Sequence, residues 1–203
     1  MHSLSDEQLL DVLAGEGAGR KLLQDGIGTL FASVSNLKDL AHLTAGDAIA
    51  FYDASPLVSK VAAAIEFTKR CISSKLRQGD NLSSPSEVYS YLKIAIGWQE
   101  AEHFHVMYLD AQNKLISGET LFVGTVSQTA VYPREVVKRA LLLNASAVIL
   151  AHNHPSGLCE PSSADNRLTR SLKEALALLD VRVLDHVIVS QTGHFSFAEH
   201  GQL

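Results

Sequence analysis

Ala147-Val148-Ile149-Leu150-Ala151-His152-Asn153-His154-Pro155-Ser156-Gly157 is the stretch on which the fold turns. Its first five residues are an unbroken apolar run of strand length, and they read as a short buried β-strand. Side chains two apart on a strand share a face, so His152 and His154 project together from its carboxyl end. Pro155-Ser156-Gly157 then breaks the strand and lets the chain turn back. Ser162 and Asp165 follow at the entrance of a predicted helix over roughly 163–179, whose apolar positions Leu168, Leu172, Leu176 and Leu179 recur at helical spacing. Two neutral imidazoles and one carboxylate fill three positions of a tetrahedral zinc site and leave the fourth open. That is the ligand count of a catalytic site.

Simpler readings compete. Ser162-Ser163-Ala164-Asp165 is also a capping box, in which serine and aspartate satisfy the free amides of a helix start. The two histidines also fit as polar residues at a strand end. Both simple readings must hold together for the site to vanish. Other zinc signatures are excluded: there is no HExxH. The zinc deaminase pattern H-x-E with P-C-x-x-C fails too, because His154 stands in the third place and Cys159 precedes Pro161 without a second cysteine nearby.

Outward from this centre, the elements alternate. Ser84-Pro85-Ser86-Glu87 opens a helix with a serine cap, a first-turn proline and a glutamate in the capping-box place. A strand follows over 102–109, then a turn near Asn113, a strand-like segment over 115–126 and a helix from Pro133 to about Leu143. After the histidine strand and its helix come strands over 181–190 and 194–197. This order predicts an α/β fold, with helices packed on a mixed sheet. Upstream, residues 3–77 are almost wholly helix-like, with Ser5-Asp6-Glu7 as a start signal, and the polar stretch Gln78 to Ser83 reads as a linker. The expected domains are a small all-helical one over 1–78, a linker over 79–84 and the α/β domain over 85–203.

The motifs HNHPSG, PSSAD and LDHVIVS resemble those of the JAB/MPN metalloprotease-like domain of bacterial RadC-type proteins, over roughly residues 85–203. The shared pattern is the JAMM signature: an upstream glutamate, then HxH, seven residues, Ser, two residues and Asp, matched here at His152, His154, Ser162 and Asp165. The resemblance implies a JAB/MPN fold with deaminase-like layering. Family members carry the glutamate in a segment similar to Glu102-His103-Phe104-His105-Val106-Met107-Tyr108-Leu109-Asp110. Alternation there groups Glu102 with Phe104 and Val106, and sets His103 and His105 on the opposite face as surface or second-face residues. Glu100 shares the face of Glu102 but lies outside the pattern.

The resemblance implies one zinc ion per chain, held by His152, His154 and Asp165. Glu102 would act as general base and acid, and Ser162 would donate to a developing oxyanion. It implies cleavage of a peptide or isopeptide bond in a protein or peptide substrate, with ubiquitin-like or sulfur-carrier tails as the substrates of characterised relatives. Asp185-His186 either orients a ligand or begins a strand. Cys159 either reaches the zinc as an inhibitory thiolate or is a loop residue.

Composition narrows the setting. The chain has 203 residues, 46% hydrophobic and 19% charged, which suits one ordinary domain with a smaller one and argues against disorder. No apolar run is long enough for a membrane span, and no signal-peptide pattern opens the chain. Cys71 and Cys159 make no disulfide framework, so a reducing cytoplasm is expected. The amino-terminal region resembles the helical domain preceding RadC-type JAB domains, with LSDEQLLDVL and VAAAIEFTKR as first and last helices. Where its helix-hairpin-helix carries Gly-x-Gly, this chain has Tyr52-Asp53-Ala54. With net charge −5, and 8 bases against 10 acids over residues 1–80, weak nucleic-acid binding is expected. Two alternatives to a hydrolase are a non-catalytic binding module, which usually loses these histidines or the aspartate, and a DNA-repair accessory protein, which needs the glycine hairpin and a basic surface. Oligomeric state is not legible in the sequence.

Overall fold

The computed structural model describes residue 11 and residues 56–78, 85–124 and 131–203. Two compact units divide the chain, residues 1–70 and 71–203. The helix α1 (Pro56–Gln78), which contains VAAAIEFTKR, runs across that division. LSDEQLLDVL except Asp11, Tyr52-Asp53-Ala54 and the 79–84 linker lie outside the described residues.

The second unit is built on one mixed sheet. In chain order its elements are α2 (Pro85–Ala95), β1 (His103–Leu109), β2 (Leu115–Val123), α3 (Pro133–Leu142), β3 (Ala147–Asn153), α4 (Ser163–Ala177), β4 (Arg182–Val189) and β5 (His194–Ser196). Strand order is β2-β1-β3-β4-β5. Only β3 and β4 are parallel, and a parallel pair needs a crossover, which α4 supplies. The other neighbours are antiparallel.

Every residue of β3 is buried, as a central strand covered on both faces requires. The strand period sorts the core into two layers. Met107, Leu109, Ile149, Ala151, Val187 and Val189 pack against Val88, Leu92 and Ile96 on one face. On the other, Phe104, Val106, Tyr108, Val148 and Leu150 pack against Val136 and Ala140 of α3 and Leu172 and Leu176 of α4. His152 continues the series Val148, Leu150, so its ring belongs to the α4 face.

Both helices of that face end in the same way. Asn144 and Asp180 take positive φ, 50° and 56°, conformations that short polar side chains tolerate. The amide of Ala145 bonds Ala140 O at 2.9 Å, and that of Val181 bonds Leu176 O at 3.1 Å, the long-range bond of a Schellman motif. The predicted helix over 163–179 therefore stops short. Leu179 is 40% exposed and leaves the buried stripe, because the chain is already turning toward Asp180. Likewise β1 begins at His103, so Glu102 stands just outside the strand rather than within it. Among the described residues, no helix is long and apolar enough to cross a membrane.

Candidate metal centre

The carboxyl end of β3 carries the site. His152 is almost fully buried. The amide of His154 bonds Val189 O at 2.9 Å, which extends the ladder one residue past β3 and keeps both imidazoles on one side. Their Nε2 atoms lie 3.0 Å apart. The α4 start brings in Asp165, whose Oδ1 is 3.3 Å from His152 Nε2 and whose Oδ2 is 3.8 Å from His154 Nε2. One ligand atom from each of the three falls within 4.8 Å of the others.

The capping box is also real. Ser162 Oγ accepts from the Asp165 amide at 3.2 Å, and Asp165 Oδ2 accepts from the Ser162 amide at 2.7 Å. Burial works to raise the Asp165 pKa, but the hydrogen bond and charge that His152 offers in its protonated form, with the bonds to Ser162, outweigh it. The carboxyl is held well below the usual carboxylate range.

The donor set fits a divalent cation. His154 Nδ1 lies 2.8 Å from Leu158 O, and a carbonyl only accepts, so Nδ1 carries the hydrogen. In the neutral ring, Nε2 then presents a lone pair toward His152 and an ionised carboxylate. Such a convergence of acceptors calls for a cation, and imidazole with carboxylate suits zinc.

Residues 82–202, carrying all of these groups, match the RadC-like JAB domain. The chain belongs to the RadC-like JAB family. A UPF0758 protein of Janthinobacterium sp. (strain Marseille) is 44% identical over 201 residues, which is 98% of this chain and 90% of that protein. Another, from Leptothrix cholodnii, is 47% identical over 99% of this chain and 91% of its own length. A third, from Thiobacillus denitrificans, is 54% identical over 141 residues, 70% of this chain and 63% of its own length.

In this RadC-like JAB domain Glu102 immediately precedes β1, half-buried, with its main-chain oxygen accepting from Gly124 at 2.8 Å. Burial raises its pKa; the nearby histidines His152 and His154 oppose the rise, and Asp165 adds to it. Asn153, between the two histidines, is fully buried. Its Oδ1 accepts from the His103 amide at 2.7 Å, and its Nδ2 donates to Gln99 O at 3.1 Å and Ala101 O at 3.0 Å. The backbone on both sides of Glu102 is thereby tied to the histidine strand.

Other candidates fall outside the cluster. Glu100 is exposed, and it is not among the grouped ligand residues. His103 Nδ1 pairs with Ala101 O at 2.9 Å. His105 lies on the second face but is not a surface residue: it is buried beside Thr120, 3.1 Å from its Nδ1, and Tyr91 of α2. Gly118 leaves room for this packing, since a Cβ there would meet the Tyr91 hydroxyl at 2.5 Å. The Cys159 thiol donates to Ser190 Oγ at 3.0 Å and is not one of the grouped ligands.

Asp185-His186 divides its roles. Asp185 accepts from Ser196 Oγ at 2.6 Å and from the Ala198 amide at 2.9 Å, tying β4 to the end of the chain, although burial raises its pKa. His186 is fully buried, with Nε2 2.9 Å from His152 Nδ1. Thr169, one turn after Asp165 in α4, contacts the other nitrogen of His186 at 2.6 Å. The only trace of Thr169 in the sequence is a hydroxyl on the buried side of a helix.

Proposed function

We propose that this protein is a zinc-dependent hydrolase of the JAMM type that cleaves a peptide or isopeptide bond. The observation that carries the reading is the convergence of His152 Nε2, His154 Nε2 and the Asp165 carboxylate beside the half-buried Glu102. A zinc ion held by His152, His154 and Asp165, one per chain, supplies Lewis acidity and brings the pKa of water down to about 7. Glu102 takes a proton from the attacking water and passes it to the leaving amine. Its burial suits that exchange, because a carboxyl with a raised pKa gives a proton back more readily than an ordinary one. The Ser162 hydroxyl, which bonds the Asp165 carboxylate, can turn its hydrogen to the oxyanion that develops on the substrate. Asn153 keeps the segment carrying Glu102 against the ligand strand.

The substrate is a protein or peptide, with an extended tail of the ubiquitin-like or sulfur-carrier kind as the first to try. Two unpaired cysteines, Cys71 and Cys159, agree with a reducing compartment such as the cytoplasm. The test joins elemental analysis to a peptidase assay. Protein purified without chelator should carry about one zinc per chain, and it should cleave members of a fluorogenic peptide and isopeptide panel. His152→Ala should lose both. Equal metal content in the wild type and this variant removes the site from consideration.

A further inference from the structure

His186 is a histidine buried inside an apolar strand, and its two nitrogens are both engaged. The direction of each hydrogen bond can be worked out from the far end. Thr169 Oγ1 and the main-chain oxygen of Asp165 are 2.6 Å apart, and two oxygens approach that closely only with a hydrogen between them. A carbonyl has none to give, so Thr169 donates its single hydrogen there. Its 2.6 Å contact with His186 Nδ1 must therefore use a hydrogen carried by His186. A neutral imidazole with its hydrogen on Nδ1 is an acceptor at Nε2. That Nε2 is 2.9 Å from His152 Nδ1, so His152 is the donor in this bond. In the neutral ring, what remains on His152 is a lone pair at Nε2, the atom 3.0 Å from His154 Nε2 and 3.3 Å from Asp165 Oδ1.

A doubly protonated His186 would break the series by donating at both nitrogens. The surroundings disfavour a cation there: the ring is fully buried, stacked on Phe197 and edge-on to Phe104. The carboxylate next to it in sequence, Asp185, is turned toward the His186 amide, Ser196 and Ala198.

We infer that Thr169 and His186 are positioning residues that fix the tautomer of the neutral His152 ring, so that Nε2 is the nitrogen left to face a cation as a lone pair. The inference rests on the metal-site reading above, and it gives that reading a starting point in the metal-free fold. The relay begins on the main chain of Asp165 and ends on a nitrogen facing the Asp165 side chain. One residue thus anchors both the ligand set and the device that orients it.

The test reads tautomers directly, by long-range proton–nitrogen NMR of the metal-free, nitrogen-15-labelled full chain. His152 and His186 should each carry their hydrogen on Nδ1. Thr169→Val should weaken that preference at His186, because Nδ1 loses its acceptor. His186→Gln should preserve the His152 tautomer, since a side-chain amide oxygen can accept from Nδ1, whereas His186→Leu should not. Zinc titration against a chelating dye supplies the second readout. His186→Leu should bind zinc about 10- to 100-fold more weakly, the range typical of lost outer-sphere partners, and His186→Gln should recover most of that loss. A hydrogen on Nε2 of His152 in the wild type overturns the relay whatever the variants do. So does wild-type zinc affinity in His186→Leu. Expected tautomers in a wild type that binds no zinc support the relay and defeat the metal reading instead.

Discussion

Ser162 and Asp165 hold each other, each accepting a hydrogen bond from the other's main-chain amide, while Asp165 also turns its carboxylate toward His152. The helix cap and the metal ligand are therefore the same group. A rigid cap is a good way to aim a ligand, because the helix start leaves the carboxylate little rotational freedom to lose when a cation arrives.

The two substitutions at this pair should separate. Ser162→Ala removes a cap acceptor and should cost about 1 kcal/mol of stability, with zinc affinity close to the wild type. Asp165→Asn replaces an anionic ligand by a neutral amide and should weaken zinc binding sharply in a dye-competition titration. Matching affinities for Asp165→Asn and the wild type would leave the cap as the sole role of that carboxylate.

Glu102→Gln should keep its zinc and lose hydrolysis by about 10² to 10⁴-fold, the usual contribution of a general base. The pH profile adds a second readout. Burial raises the Glu102 pKa, and a base works only when ionised, so activity should fall with decreasing pH at values above the ordinary 4.5. An acid limb at or below 4.5, or normal turnover by the variant, would move the proton shuttle elsewhere, with Glu100 the first candidate.

The ligand set was legible in the sequence because each step is local. A strand period aligns His152 with His154, and a helix start eight positions further on presents Ser162 and then Asp165. The two-layer core was legible for the same reason: the strand at 104–109, apolar but for His105, and the apolar run at 147–151 leave the sheet few alternatives. What escaped depends on pairings distant in the chain. In sequence, His186 reads as either orienting a ligand or beginning a strand; it reaches His152 because β4 lies parallel to β3 with His186 opposite Leu150, a register that strand patterns do not encode. His105 reads as a surface or second-face residue of β1, and it is α2 that decides between the two by covering that second face and bringing Tyr91 over it. Asn153 gives no signal of its role in the sequence, since its partners lie about fifty residues upstream.

Away from the site, Glu119 of β2 and Arg139 of α3 form a paired contact, at 2.7 Å to Nε and 2.6 Å to Nη2. The Arg139 hydrogen bonds hold the Glu119 carboxyl below its ordinary 4.5. A carboxyl whose folded pKa is depressed stabilises the fold above its unfolded pKa and stops doing so as pH falls through the folded value. Glu119→Gln should therefore melt at a lower temperature than the wild type near neutral pH. The difference should shrink once pH drops below 4.5. Arg139 is partly exposed, so salt should narrow the difference too. A gap that widens in acid would show that the pair does not act through its charge.

Asn153 offers the sharpest test of how the proton shuttle is placed. Its side chain makes three hydrogen bonds to the main chain of Gln99, Ala101 and His103, enclosing Glu102 on both sides, and it is fully buried. Asn153→Ala would leave two carbonyls and an amide without their partner. One such buried loss costs about 1–3 kcal/mol, so a clear drop in melting temperature is expected. Zinc affinity should change little, because His152 and His154 hold their places through the sheet ladder and their own ring contacts. Turnover should fall, because a carboxylate displaced by about 1 Å no longer meets the attacking water in line. Asn153→Asp keeps an acceptor for His103 but sets a carboxylate oxygen against the Gln99 and Ala101 carbonyls, so it should be more damaging than alanine. Melting curves, dye competition and turnover on one substrate together decide the matter. If Asn153→Ala retains wild-type turnover, Glu102 is positioned by some other part of the fold.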